Sequence, residues 1–98
     1  MAETRKFNAV HPGAILKEEL EARGVSAAAF ALRLRVPPQR IQEIVTCKRA
    51  ITPETALRLG TALGTGARIW LAMQQAYDLH KVEKELGARV RAEVLPAA

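Results

Sequence analysis

The chain has 98 residues, enough for one domain with a modest core that needs no disulfide or metal. Apolar residues make up 49% and charged residues 26%, the balance of an ordinary folded protein. No apolar run approaches the roughly 20 residues that span a bilayer, which argues against a membrane protein. The single cysteine, Cys47, cannot form an internal disulfide and suits a reducing cytosol.

The net charge of +5 is concentrated in the middle of the chain. From Arg23 to Arg58, seven basic residues accompany only two acidic ones, so this segment alone carries +5 while the flanking parts nearly cancel. A positive field on one stretch favours a polyanion as partner, most often nucleic acid. On charge alone, a solvated basic surface explains the pattern equally well.

The first ten residues, MAETRKFNAV, show neither helical periodicity nor an apolar signal region. We therefore predict a flexible tail over residues 1–10 and a protein that stays in the cytoplasm. A first helix is predicted over residues 13–23, because Leu16 and Leu20 lie four apart on one face and Gly24 suits a left-handed C-cap.

The next two helices are predicted over residues 27–34 and 38–46. Ser26 is a favourable N-cap for the first of them, which must end before the two prolines at 37 and 38. The second has an inward apolar stripe and an outward polar set at the same spacing, the latter formed by Gln39, Gln42, Glu43 and Thr46. Because only two or three residues separate the helices, the segment is typical of a helix-turn-helix whose second helix lies at the surface.

Two further helices are predicted over residues 53–63 and 66–86. Thr52 suits the N-cap of the fourth helix and Gly64 its end. Gly87 is expected to end or weaken the fifth. Residues 80–98 form a C-terminal extension, for which dimerisation and partial disorder both stay open. No strand is predicted, so the fold class is all-α.

The fifth helix carries a broad apolar face formed by Ile69, Trp70, Met73, Ala76 and Tyr77. Side chains at this spacing are more often core than ligand pocket. One helix can also offer a second edge to a dimer partner or a toxin. The candidates for such an interface are Trp70, Tyr77, Leu79, Val82 and Leu86.

Three blocks of the sequence, HPGAILKEEL, VPPQRIQEIVTCKRAITPETALRLGTALGT and IWLAMQQAYDL, resemble the HigA-type antitoxins of the Cro/repressor-like (XRE) helix-turn-helix superfamily. The resemblance covers residues 11–79 and implies a five-helix helix-turn-helix domain with an extended C-terminal helix. It further implies a bacterial regulator, encoded beside a small toxin that is usually an mRNA-cleaving ribonuclease. Family members silence that toxin and repress their own operon as dimers, so the expected partners are operator DNA, the toxin and a second copy.

Three departures from the family pattern carry expectations of their own. The family often has glycine in the turn where this chain has Arg35, and Asn-Gly where it has Thr46-Cys47. A non-glycine residue in a left-handed conformation costs of order 1 kcal/mol, so we expect both turns to be strained or slightly rearranged, and not absent. A glutamine that commonly contacts a phosphate is replaced by Ala27, which cannot, so DNA affinity is expected to be lower or carried by other groups.

The third helix fits the major groove, with the residues near its N-terminus closest to base edges. Gln39 and Gln42 can pair with adenine, Arg40 with guanine or a phosphate, and Glu43 can accept from cytosine. Pro38 can pack on a thymine methyl. The candidate DNA contacts are Ser26, Pro38, Gln39, Arg40, Gln42, Glu43, Lys48 and Arg49.

Not every basic residue in the segment belongs to that set. Lys48 and Arg49, just past the third helix, are expected to hold the DNA backbone. For Arg33, Arg35 and Arg58, a solvated face is the better interpretation.

No catalytic, metal or cofactor site is predicted. His11 and His80 lie far apart without paired carboxylates, and Cys47 has no partner at metal-ligand spacing. His11 is expected to cap or pack against the first helix. Three functions therefore stay open: an antitoxin that represses its own operon, a repressor without a toxin, and a toxin-binding inhibitor that has lost DNA affinity.

Overall fold

The computed structural model describes residues 9–97, and all regular secondary structure in that range is helical. Five helices follow one another: α1 (Pro12–Arg23), α2 (Ala27–Leu34), α3 (Pro38–Val45), α4 (Pro53–Leu63) and α5 (Arg68–Glu93). The predicted all-α, five-helix fold is confirmed. Most of the predicted N-terminal tail, residues 1–8, lies outside the described residues.

Three side chains cap helix starts by accepting from main-chain amides that have no partner within the helix. His11 Nδ1 accepts from the Gly13 amide at 2.9 Å, as the predicted capping role of His11 requires. Ser26 Oγ and Thr52 Oγ1 cap α2 and α4 in the same way, by accepting from the amides of Ala29 and Thr55. Gly24 and Gly64 end α1 and α4 in left-handed conformations. These local predictions are confirmed.

The core lies where α1 to α4 meet the first half of α5. The predicted inward stripes supply most of it, and fully burying one such side chain stabilises the fold by about 1.5–3 kcal/mol. Its members include Leu16, Leu20, Phe30, Leu34, Ile41, Ile44, Ile51, Ala56, Leu59 and Trp70. This core fixes the orientation of α3, because Ile41 and Ile44 are both fully buried in it.

The start of α1 lies directly against the end of α3. A Cβ atom at Gly13 would overlap the main-chain carbonyl oxygen of Ile44, so only glycine allows the two backbones to come this close. The contact sets the position of α3 from its C-terminal end.

The two halves of α5 differ in their surroundings. Trp70 is 3% exposed, and its Nε1 donates to Thr65 Oγ1 at 2.9 Å. Ile69, by contrast, is 51% exposed, so the predicted apolar face is narrower than expected. From residue 78 to the end of the helix, the side chains are exposed and only Gly87 is buried.

The prediction that Gly87 ends the fifth helix is wrong, since α5 continues to Glu93. A glycine inside a helix costs only about 1 kcal/mol relative to alanine, and strong helix formers flank this one. The Arg91 guanidinium lies over Gly87, where an added Cβ would meet its nitrogens at 3.1 and 3.2 Å.

One buried polar side chain, Gln74, ties α5 to the segment between α3 and α4. Its Oε1 accepts from the Ile51 amide at 2.8 Å, and its Nε2 donates to Asp78 Oδ1 at 3.0 Å. Burial strengthens such a bond and makes its loss costly. The segment that follows α3 is therefore held on the body of the domain.

Candidate nucleic-acid interface

The two faces of α3 have opposite character. Ile41 and Ile44 are buried, whereas Gln39 and Gln42 are exposed on the other side. Pro37 precedes the helix in an extended conformation without a side-chain cap, and Pro38 occupies the first helical turn. The side-chain amides of Gln39 and Gln42 therefore project outward from α3, whose inner face is fixed by the core.

The turns on either side of α3 contain the two left-handed non-glycine residues of the described chain, Arg35 (φ 61°) and Cys47 (φ 64°). After α3, the Cys47 amide donates to Ile44 O at 2.9 Å and the Lys48 amide to Glu43 O at 2.8 Å. This pair of hydrogen bonds is a Schellman motif, and α2 ends with the same pattern around Arg35. The predicted strain is present, and both turns keep their geometry.

Glu43 is the centre of a hydrogen-bond network on the outer face of α3. Its Oε1 accepts from Arg49 Nε and Nη2, both at 2.7 Å, and its Oε2 accepts from Gln39 Nε2 at 2.9 Å. Hydrogen bonds from Arg49 and from Gln39 hold the pKa of Glu43 below its usual value. The carboxylate is therefore ionised and both its oxygens are occupied. Sequence spacing does not reveal this network, because Arg49 lies beyond the end of α3.

Basic side chains surround the polar face of α3. Lys48 and Arg49 are exposed in the turn that follows the helix, and Arg40 is half-buried. A cleft of about 230 Å³ is lined by Arg40, Arg49, Ala50, Thr52, Glu54 and Thr55. Two guanidinium groups beside one cleft suit a phosphate better than a base edge, which favours the phosphate alternative for Arg40.

The remaining candidates lie at the helix starts. Ser26 is exposed, and its hydroxyl oxygen accepts from the Ala29 amide at 3.1 Å, leaving its hydrogen available to a phosphate oxygen. Pro38 is exposed at the beginning of α3. Arg58 has a structural role instead, since it donates to Leu34 O at 2.9 Å and pairs with Glu54 at 3.1 Å.

A helix-turn-helix family model matches residues 16–70, more than half of the chain and the whole of the α2–α3 unit. The chain belongs to the helix-turn-helix family. Virulence-associated protein I of Dichelobacter nodosus is 53% identical over 78 residues, which cover 79% of this chain and 72% of that protein.

Two solved structures are similar over nearly the whole length of this helix-turn-helix protein. An addiction module antidote protein of the HigA family from Coxiella burnetii has a TM-score of 0.88 and 39% identity, covering 93% of this chain and 100% of that one. The antitoxin HigA of Pseudomonas aeruginosa, solved with the higBA promoter, has a TM-score of 0.89 and 33% identity with the same coverage. The predicted resemblance to HigA-type antitoxins is confirmed.

The interface candidates of the helix-turn-helix protein fall into two groups. Trp70 belongs to the core, so its ring offers no surface to a partner. The prediction that Trp70 lies in an interface is therefore wrong. Tyr77 is half-buried, with its ring edge-to-face against His11 at 4.9 Å.

The second group lies on the outer half of α5, which carries Leu79, Val82 and Leu86 at 59%, 47% and 42% exposure. The stripe continues to Val90, which lies beyond the helix end predicted at Gly87. We call these four residues the apolar stripe.

Within residues 9–97 of this helix-turn-helix protein, no three metal-ligating side chains come together. In the same range, no helix combines the length and the apolar character that crossing a bilayer requires. Cys47 is exposed and unpaired with any other cysteine of the chain.

Proposed function

We propose that this protein is an antitoxin that binds operator DNA as a dimer, represses its own operon and neutralises a cognate mRNA-cleaving toxin. The strongest support is the outer face of α3, where Gln39 and Gln42 are exposed and the basic pair Lys48 and Arg49 follows. The promoter-bound HigA relative, similar over 93% of the chain, supports the same assignment.

In this proposal α3 enters the major groove. Each glutamine amide can pair with the N6 and N7 atoms of adenine, and each good pair discriminates against the wrong base by about 1–3 kcal/mol. Lys48 and Arg49 hold phosphates on the adjoining backbone, and Arg40 takes another at the cleft. Such contacts fix the register of the protein and supply most of the salt-dependent affinity.

The apolar stripe supports a homodimer through α5. Four half-exposed apolar side chains recur at three- and four-residue spacing along one side of the helix, the pattern of a helix–helix seam. A second copy is the occupant we propose, because one monomer carries one recognition helix and covers one half-site.

The toxin-binding role rests on membership of the HigA-type branch. We propose that a neighbouring gene encodes a small toxin. This toxin is inactive when both proteins are expressed together in the bacterial cytoplasm. The protein lies at the nucleoid while it occupies its operator. No residue is assigned to the toxin surface.

The test uses a duplex that spans the region upstream of the protein's own reading frame. The logarithm of the binding constant should fall linearly with the logarithm of salt concentration, with a slope of about −0.9 for each neutralised phosphate. Gln39→Ala and Gln42→Ala should each reduce the preference for this duplex over a scrambled one by roughly 5- to 150-fold. Gln75→Ala, an exposed glutamine of α5, is the matched control and should leave the preference unchanged.

Two alternatives are separated by the same measurements. A flat salt response would favour a protein-only inhibitor, to which the Ala27 departure points. The intact turns at Arg35 and Cys47 argue against it, because they keep α3 exposed. Salt-dependent operator binding without a toxic neighbouring gene would instead identify a repressor without a toxin.

A further inference from the structure

We propose that Glu43 sets the base preference of Gln39 without touching a base: it favours adenine over guanine at the pair that Gln39 reads. The proposal rests on the proposed function, since it requires α3 to lie in the major groove. It assigns Glu43 a positioning role in place of the direct contact with cytosine that its residue type suggests.

The orientation of the Gln39 amide follows from its contact with Glu43. Glu43 Oε2 lies 2.9 Å from Gln39 Nε2. An ionised carboxylate can only accept hydrogen bonds, so the end of the amide that faces it must be the NH₂ group. Arg49 keeps the carboxylate in place from the other side, at 2.7 Å. The Glu43 side chain is 29% exposed.

The Gln39 amide keeps only some of its hydrogen-bonding groups free for a base. The NH₂ group has two hydrogens, of which one is donated to Glu43. One N–H and the carbonyl oxygen remain, which together form one donor and one acceptor. Adenine presents one acceptor (N7) and one donor (N6) in the major groove, whereas guanine presents two acceptors (N7 and O6). The remaining groups complement adenine, and against guanine the carbonyl oxygen would face O6.

Gln42, the other exposed glutamine of α3, lacks the contact that orients Gln39. Among residues 9–97, no side chain bonds to the Gln42 amide, although the main-chain oxygen of Gln42 accepts from Thr46 Oγ1 at 2.9 Å. The Gln42 amide can therefore turn either end toward a base and can donate both hydrogens to guanine. The two glutamines, of identical chemistry, should differ in discrimination because only Gln39 has Glu43 beside it.

The experiment selects binding sites from a pool of randomised 24-base-pair duplexes and sequences the bound fraction. The proteins are the wild type, Gln39→Ala, Glu43→Ala and Arg49→Ala, each checked for an unchanged thermal unfolding midpoint. Gln39→Ala identifies the position that Gln39 reads, because the enrichment at that position disappears.

At that position the wild type should enrich adenine over guanine by roughly 5- to 150-fold. Glu43→Ala should bring the ratio close to one, with both purines still preferred over pyrimidines. Arg49→Ala should give an adenine-to-guanine ratio between those of the wild type and Glu43→Ala, because the carboxylate loses one of its two partners. Its salt slope should become shallower by about 0.9, the contribution of one phosphate.

Each other outcome counts against the proposal. An undiminished adenine preference in Glu43→Ala overturns the positioning role and leaves the DNA-binding function intact. Loss of a cytosine preference at a different position would make Glu43 a direct reader. A wild-type protein that selects no sequence at all overturns the proposed function together with this inference.

Discussion

The body of the domain and the outer half of α5 are stabilised in different ways. In the body, the helices pack an apolar face into the core and expose a polar face. In α3, Ile41 and Ile44 are buried, whereas Gln39 and Gln42 are exposed. In residues 79–93, apolar and charged side chains alike are exposed, and the helix is maintained by its own main-chain hydrogen bonds. Isolated helices of this length are marginal in water.

From this difference we expect partners to bind at two separate surfaces. A surface that is polar over a fixed core can be offered to DNA without a stability penalty. A helix that extends from the domain with an apolar stripe gains stability only when a partner covers that stripe. Substitutions in the two regions should therefore have separable effects, on folding in the first and on association in the second.

The largest effect is expected from Gly13→Ala, which places a methyl group on the Ile44 carbonyl oxygen. Either α1 or α3 must shift, and overpacking of this kind costs typically 1–3 kcal/mol. We expect the free energy of unfolding, measured with urea, to fall by about 3 kcal/mol. Gly24→Ala is the matched control, because it meets open space and carries only the left-handed penalty of about 1 kcal/mol. Equal losses in the two variants would show that the contact with Ile44 does not matter.

The second prediction concerns association through α5, which Leu86→Glu should prevent. A carboxylate in the apolar stripe would have to be buried on association, so sedimentation should shift from dimer to monomer. Operator affinity should fall about tenfold or more as the second half-site is lost. The unfolding free energy of the monomer should change by less than about 0.5 kcal/mol. Lys84→Glu, two residues away on the opposite side of α5, should leave the dimer intact, and dissociation in both variants would exclude the stripe as the seam.

The third prediction concerns pH and the start of α1. Burial lowers the pKa of His11 below its ordinary value of 6.5, against the Asp78 carboxylate, which raises it. The unfolded chain therefore takes up the proton first, so stability is complete above about pH 6.5 and falls as the pH decreases. Protonation also removes the Nδ1 acceptor from the Gly13 amide, a cap worth about 1 kcal/mol.

The control for His11 is His11→Asn, which keeps a capping acceptor and does not titrate. Thermal unfolding midpoints of both proteins should be compared between pH 7 and pH 5. A smaller pH-dependent decrease in the asparagine variant supports this role for His11, whereas identical decreases would assign the effect to other groups.

The smallest effect is expected at Cys47. Its left-handed conformation is strained for any residue with a Cβ atom, so Cys47→Gly should raise the unfolding free energy by about 1 kcal/mol. Cys47→Ser keeps the Cβ atom and should leave stability unchanged. A gain in the serine variant as well would mean that the thiol, and not the backbone, is responsible.

Features encoded by neighbouring residues were predictable. Caps at Ser26 and Thr52 and the inward stripe of α3 depend on spacings of three or four residues, which the sequence displays directly. The outward position of Gln39 and Gln42 follows from the same spacing.

Features that join distant parts of the chain were not predictable. The contact of Gly13 with Ile44 and the bond of Gln74 to Ile51 depend on how helices pack, and a lone glycine or glutamine gives no sign of it. The end of α5 differs from the prediction because the helix formers on both sides of Gly87 outweigh the cost of one glycine.

The amide of Gln74 has a mechanical consequence. Ile51, which it holds, comes two residues after Arg49, so the basic turn cannot slide along α5. If two copies join through that helix, their α3 helices stand at a separation set by the protein and not by the duplex. Such a dimer would bind two half-sites at one spacing and would reject operators in which that spacing differs by a single base pair.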